Sequence, residues 1–453
     1  MQIRGNRSIN AVAGLVVVAA ALSCAHLSTK GTPENPAVRT EAHSTSDDIE
    51  SNSSESLKDG REVFRHETFG DEYFWSDTLQ LHLAIAGQRH GGVGPGLTAR
   101  QALAAGLKVD VERLPSIMAN AIRGGSANLD VVETTLELLK ANAVVGVKGY
   151  YDNGGMVPTR IGITCAFCHS TVNDALTKGI GNRLDGWPNR DLNVGAIVAM
   201  APSLRPFEQA LQLPDSTIRA VLRSWGPGKY DAELIHDGKA FRPDGKSGAT
   251  LLPAAFGLAG INLHTYTGWG SVTHWNAYVA VTQMHGKGTF YDPRLNNPAK
   301  FPVAQRTHMY DVRNTPDLVT PHLAALHYYQ LSIPAPSPPT NSYDHAAADR
   351  GRVVFENQAT CTRCHVPPLF VEPGWPMHTA AEIGIDDFQA KRSPDERYRT
   401  TPLKGLFVRA KGGFYHDGRF ATLDAVVDHY DQHLRLGLTV QQKHDLVEYL
   451  KSL

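Results

Sequence analysis

The 453-residue sequence predicts a mainly α-helical fold with long irregular loops. Three observations carry this. Apolar residues recur three and four apart, most clearly over residues 129–143. No sustained period-two alternation, the mark of a half-buried strand, appears. Residues 225–330 are rich in Gly, Trp, Tyr and His and follow neither period.

The chain opens on a targeting segment. Arg4 and Arg7 form a positive start, and residues 11–22 are an unbroken small-apolar run, short for a permanent bilayer span. The run ends at Ala21-Leu22-Ser23-Cys24, a permissive lipobox that would make Cys24 the acylated N-terminus; an ordinary signal peptide cut near Ser23 or Ala25 is the alternative. Residues 25–60 are polar and almost free of large apolar groups, which predicts a flexible tether. Order begins at Glu62-Val63-Phe64 and the aromatic run Phe69, Tyr73, Phe74 and Trp75.

Thr98 suits the cap of a helix over residues 99–107, and Pro115 the first turn of one running to Ile122. The Pro-rich run from Ile333 to Pro339 predicts a stiff extended linker. The final helix, residues 439–453, carries a capping box (Thr439 with Gln442) and a stripe of Leu446, Tyr449, Leu450 and Leu453. The expected division is 1–24 targeting segment, 25–60 tether, 61–332 N-terminal domain, 333–342 linker and 343–453 C-terminal domain.

Two pentapeptides organise these domains: Cys165-Ala166-Phe167-Cys168-His169 and Cys361-Thr362-Arg363-Cys364-His365. Cysteines three apart on a helical turn share a face, so both can bond one porphyrin, and the next histidine then meets the iron. Each motif therefore predicts a covalently attached haem c, and each domain a cytochrome c-type haem domain. The alternative is a structural zinc built from the two CxxC pairs, which leaves the two histidines unexplained. The fifth cysteine is Cys24, so none remains for a disulfide. Export agrees with c-type maturation, which in bacteria takes place outside the cytoplasmic membrane. With 44 basic and 45 acidic residues, nothing argues for a nucleic-acid partner.

Haem propionates need cationic or N–H donors when buried, and Arg183, Trp187 and Arg190 follow the first motif closely enough to supply them; an ordinary polar turn around Gly186 and Pro188 is the alternative.

The C-terminal unit resembles the second haem domain of the bacterial di-haem cytochrome c peroxidase family. The matching pieces are Gly351-Arg352-Val353-Val354-Phe355, the second motif, Val366-Pro367-Pro368-Leu369-Phe370, Arg399-Thr400-Thr401-Pro402-Leu403, Gly413-Phe414-Tyr415-His416-Asp417-Gly418 and Thr422-Leu423-Asp424-Ala425-Val426. They cover about 110 residues. Upstream the family likeness is confined to the haem motif, and the long domain around it resembles the rubber-oxygenase-like di-haem cytochromes more weakly. The resemblance supports fold and cofactor better than reaction.

Proximal ligands are expected at His169 and His365. The resemblance puts the second haem's distal ligand on the helix beginning Thr422-Leu423, with Tyr430 where the peroxidases have Met and His429 beside it. Leu423, Val426, Val427 and Tyr430 form one stripe, which places Tyr430 on the buried face. Met377 and His416 are further alternatives, and plain core packing would equally explain Tyr430. A relative that matures methylamine dehydrogenase also uses tyrosine there. For the first haem the candidates are Met200, His274, Met284 and His285, with residues 273–284 read as a helix that favours Met284 or His285; an open iron is the other possibility. Trp187, Trp269 and Trp275 qualify by type as an electron relay. The resemblance allows a bridging calcium, but no dense carboxylate loop indicates one.

The functional expectation is electron transfer with a redox partner protein or small-molecule oxidant. Peroxide reduction or a haem-dependent oxygenase is the alternative. The membrane would be reached only through the lipid on Cys24, and catalytic residues are not assigned.

Overall fold

A computed structural model describes residues 45–453. The proposed lipidation site Cys24 and the targeting segment lie outside the described residues. From Ile49 to Leu453 the chain forms one compact unit. Helices dominate, and the sheets among the described residues are five two-stranded pairs with strands of two to four residues. No described helix is long and apolar enough to cross a membrane.

Residues 45–60, expected as part of the tether, are instead the start of a helix, Thr45–His66. Its exposed first half buries little, but a helix satisfies its own backbone, and the far end holds it. There Val63 and Phe64 are buried, and Gly60 passes so close to the helix Leu323–Ser332 that a Cβ would stand 2.0 Å from the Ala325 oxygen. The cap expected at Thr98 is present. Thr98 and Gln101 form a capping box on Ala99–Ala104, whereas Pro115, expected in the first turn, stands just before Ser116–Arg123 and makes no capping bond. The first of these stops short of residue 107 because Gly106, at φ +90°, turns the chain against the backbone of Asp191.

The first motif lies between two small sheets. The hairpin Val147–Tyr150 with Arg160–Ile163 delivers the chain to Cys165. After the helical turn Ala166–His169, strand Ser170–Val172 pairs with Arg183–Asp185. Asp185 ties this sheet to both neighbouring helices, accepting from Arg65 Nε (2.6 Å), Ser170 Oγ (2.7 Å) and Tyr329 Oη (2.6 Å).

The C-terminal core has its own buried cluster, which includes Phe355, Phe370, Val427, Leu446 and Leu450. Helix His345–Glu356, capped by Asp344, crosses helix Val440–Lys451, whose Thr439–Gln442 capping box is present as expected. Gly351 is the crossing point, and Arg350 clamps it with two bonds to Asp445 at 2.8 and 2.7 Å. The Pro-rich segment carries no helix or strand, and its Ile333 and Ala335 pack beside Phe256, Val408 and Trp187.

A Cβ on Gly351 would lie 1.9 Å from the Asp445 carbonyl oxygen, so Gly351→Ala must separate the two helices. The expected loss is about 1–3 kcal/mol, read as a lower denaturant midpoint with an unchanged slope.

Candidate functional site

Each pentapeptide is a single helical turn, and the first has its free carbonyls finished from elsewhere. At the first, Gly186 N donates to His169 O (2.8 Å) and Asn189 N to Cys168 O (2.9 Å). The polar turn read from Gly186 and Pro188 is therefore present, and it caps the motif. At the second, His365 N closes on Cys361 O at 2.9 Å.

The histidines share one arrangement. His169 Nδ1 lies 3.1 Å from Pro253 O, and His365 Nδ1 lies 3.0 Å from Phe370 O. A carbonyl only accepts, so Nδ1 carries the proton in both rings and Nε2 keeps a free lone pair. Burial pushes His169 down to about 4 and lowers His365, so both imidazoles are neutral at pH 7. The four cysteines form no disulfide. Burial pushes Cys165 and Cys168 up to about 12, the reverse of a redox-active dithiol.

Cys165, Cys168 and His169 form one wall of a cavity of about 300 Å³. The other walls are mostly apolar, with Trp75, Leu139, Ile161, Val198, Leu222 and Trp275 among them. Two π-helical turns, Tyr73–Thr78 and Val279–Gln283, meet here, joined by Trp75 Nε1 donating to Met284 O (3.1 Å). The helix expected over 273–284 is thus Val272–Tyr278 followed by the second π turn. Met200, Met284 and His285 all reach the cavity. His285 is stacked on Phe74, ring centroids 3.6 Å apart. His274 stands outside, packed edge-on against Trp269 and 3.8 Å from Asp292.

Several polar groups on the walls carried no signal in the sequence. His264 donates from Nε2 to Ile261 O (3.0 Å), while its buried Nδ1 has no hydrogen-bond partner. Asp231 and Glu233 each point one buried oxygen at no hydrogen-bond donor. Burial pushes Asp231 up to about 7 against the pull of Arg392, and raises Glu233 likewise. Arg392, wholly buried, bonds Asp237 (2.9 Å) and Asp231 (2.9 Å) and donates to Gly248 O (3.1 Å). These are isolated residues in a stretch without period, so nothing in their spacing marked them.

The three expected anion donors are not brought together. Arg183 is buried in an ion pair with Asp110 (3.0 Å). Trp187 packs edge-on against Phe407 in a small apolar cluster. Neither lines the cavity. Arg190 is buried with its Nε unpartnered, and its Nη atoms reach Lys411 O (3.4 Å) and Tyr266 Oη (3.5 Å). Of the expected relay residues, Trp275 lines the cavity and contacts Trp269 with ring centroids 4.8 Å apart.

At the second motif Tyr430 sits within electrostatic reach of both Cys361 and Cys364, on the helix Leu423–Leu434 capped by Thr422. Val427 on its stripe is buried, and Leu423, Val426 and Tyr430 are half-buried. The Tyr415 hydroxyl lies against that of Tyr430 without the alignment of a full hydrogen bond. His429 spends its Nε2 on Ile383 O (2.9 Å), and His416 is stacked on Tyr398. Among the described residues, one trio of metal-donor atoms gathers: Cys364, Glu372 and His378, with His378 Nε2 2.7 Å from Glu372. It is not a calcium-type oxygen set, and no such group unites the two CxxC pairs, as the zinc alternative requires.

No protein-family model matches the chain. Over 124 residues it is 29% identical to the methylamine utilization protein MauG of Methylorubrum extorquens, covering 24% of this chain and 35% of that protein. The chain thus spans about a third of the length of that curated relative. Among solved structures it is similar to Kuenenia stuttgartiensis hydrazine synthase pressurised with xenon, at 18% identity and a TM-score of 0.28, over 49% of this chain and 86% of that one. It is also similar to a MauG-like protein associated with microbial copper homeostasis, at 19% identity and a TM-score of 0.31, over 49% and 79%. Both scores are too low to establish a common fold.

Arg392 is the counter-charge for carboxylates on the cavity wall and behind it. Replacing it in Arg392→Met leaves Asp231 and Asp237 buried without a cation, with an expected loss of about 3–5 kcal/mol by denaturant unfolding.

Proposed function

We propose that the chain is an exported di-haem c-type cytochrome that carries out electron transfer. The observation that carries this is the repeated donor set: two cysteines three apart, then a neutral histidine with Nδ1–H on a backbone carbonyl and Nε2 free. That carbonyl fixes the tautomer and aims the ring, as expected of a metal-ligating histidine. The site residues fit a haem by their chemistry, with two thiols for its vinyl groups and a mostly apolar cavity beside the first motif. When bound, each haem supplies an iron that cycles between ferric and ferrous states.

His365 and Tyr430 are the ligand pair proposed for the second haem. The bond from His429 to Ile383 favours Tyr430 over its neighbour. For the first, His169 is the proximal ligand, with Met284 and His285 on the cavity wall as the groups able to close the other side. Trp275 and Trp269 are proposed to extend the path for electrons, with a redox protein or small oxidant at its end.

A second reading, peroxide reduction or oxygenation at the first site, is favoured by the wall itself. Asp231, pushed up to about 7 by burial, can keep a proton on Oδ2 near neutral pH and deliver it into the cavity; burial raises Glu233 beside it in the same direction. An export signal and a lipid on Cys24 complete the proposal, and they rest on the sequence alone.

The test is the purified protein. Its colour should survive acid–acetone extraction, which strips haem that is not covalently held. In low-temperature EPR, taken oxidised and after one-electron reduction, electron transfer predicts low-spin signals only. A high-spin signal in either state would decide for the enzyme reading. Tyr430→Phe should change the spectrum and potential of the second haem alone; no change in either would remove Tyr430 as its ligand.

A further inference from the structure

Most of the buried and half-buried arginines among the described residues have an acid partner. Arg183 has Asp110, Arg392 has Asp231 and Asp237, and Arg242 has Asp417. One group does not. Arg190, Arg399 and Arg409 gather around Tyr266, and none of them makes a salt bridge among the described residues. Their hydrogen bonds go to neutral oxygens. Arg399 Nε donates to Thr265 O, its backbone N to Tyr266 O (3.1 Å), and Nη1 to its neighbour Thr400 O at 3.5 Å. Arg409 Nε donates to Lys404 O (3.3 Å), and its guanidinium rests 4.8 Å over the Phe256 ring. Arg190 Nε has no partner at all. Burial and the charge of Arg409 push Arg399 down to about 9. Burial, with Arg190 adding to it, pushes Arg409 down to about 10 against the pull of Tyr266.

One buried and two half-buried guanidiniums with no carboxylate are costly, because a charge withdrawn from water needs a counter-charge with hydrogen bonds. Most of their fifteen-odd N–H donors (about five per guanidinium) stay unused, in the planar forks that carboxylates match best. The position says which anion. Arg399 lines the cavity that Cys165, Cys168 and His169 wall. Arg190 follows Asn189, whose backbone N–H caps Cys168 O. Two of the three come from the far end of the chain.

We propose that Arg190, Arg399 and Arg409 hold the propionates of the haem at Cys165–His169, so that the C-terminal segment completes the site of the N-terminal haem. This rests on the di-haem reading. Two propionates bring the negative charge the cluster lacks, and the cluster in turn joins residue 190 to residues 399 and 409 through the haem.

The experiment is a spectroelectrochemical titration of the holoprotein and of the double variant Arg399→Met, Arg409→Met, with Tyr430→Phe used to mark the second haem. Removing two cations beside the first haem favours its ferric form, so its midpoint should shift downward while the second stays. The milder Arg409→Gln should shift the first midpoint the same way by less, and Arg409→Lys should restore it. These single variants keep a polar side chain, so they report even where the double variant fails to fold. A folded Arg409→Gln variant with both midpoints unmoved would overturn the assignment, as would a shift of the second haem instead. Wild-type midpoints that move with added inorganic phosphate would mark a site open to free anions, and would overturn it too. A protein without covalent haem would sink the reading beneath; two covalent haems with an unmoved first midpoint would sink the arginine assignment alone.

Discussion

His169 donates its Nδ1–H to Pro253 O, and His365 donates its own to Phe370 O. Both acceptors lie outside regular helices and strands, Pro253 two residues past strand Thr250–Leu251 and Phe370 in the turn after the second motif. The demand they satisfy is severe: a short turn must be held by its neighbours because it has too few backbone bonds of its own. At the first motif this takes two further bonds from residues 186 and 189, and Gly146, at φ +79°, lets the preceding hairpin pass 2.2 Å (as a Cβ would measure it) from the Phe167 backbone.

Charge is handled in two ways around those turns. Where the fold must be held together regardless of what it binds, acids and bases are buried as pairs, as with Asp185 and Arg65, or Arg392 between Asp231 and Asp237. Near the first cavity the balance is left open. Two carboxyl oxygens on its wall lack donors, and the guanidiniums around Tyr266 lack acids. Unmatched polar groups of both signs beside one cavity suit a site whose partner charges arrive with what it binds.

The parts of this arrangement that could be read from the sequence are the parts with a local rule. The cap at Thr98, the capping box at Thr439 and the burial of Leu446 and Leu450 all follow from neighbouring residues up to four apart. Composition misled over residues 45–60: polarity argues against a core, and says nothing against a helix whose far end is packed. The cavity walls were legible only in part. Met284 and His285 were found because they end a helix beside the motif, whereas His264, Asp231 and Glu233 come from loops, where spacing carries no information. Arg183 shows the converse, a residue of the right type that the fold spends on Asp110.

The walls of the first cavity come from residues as far apart as Trp75 and Arg399, while the second motif is enclosed mostly by its own segment from Phe355 to Leu450. A chain that emerges N-terminus first therefore displays Cys165 and Cys168 with one side of their surroundings, from Trp75 to Thr164, already made, and displays Cys361 and Cys364 almost together with theirs. The two turns are thus unequal in time as well as in place. Whatever is joined to the first is walled in by residues up to His285 and meets its last wall residues, Gln389 and Arg399, only near the end of the polypeptide; the second closes nearly as soon as it is made.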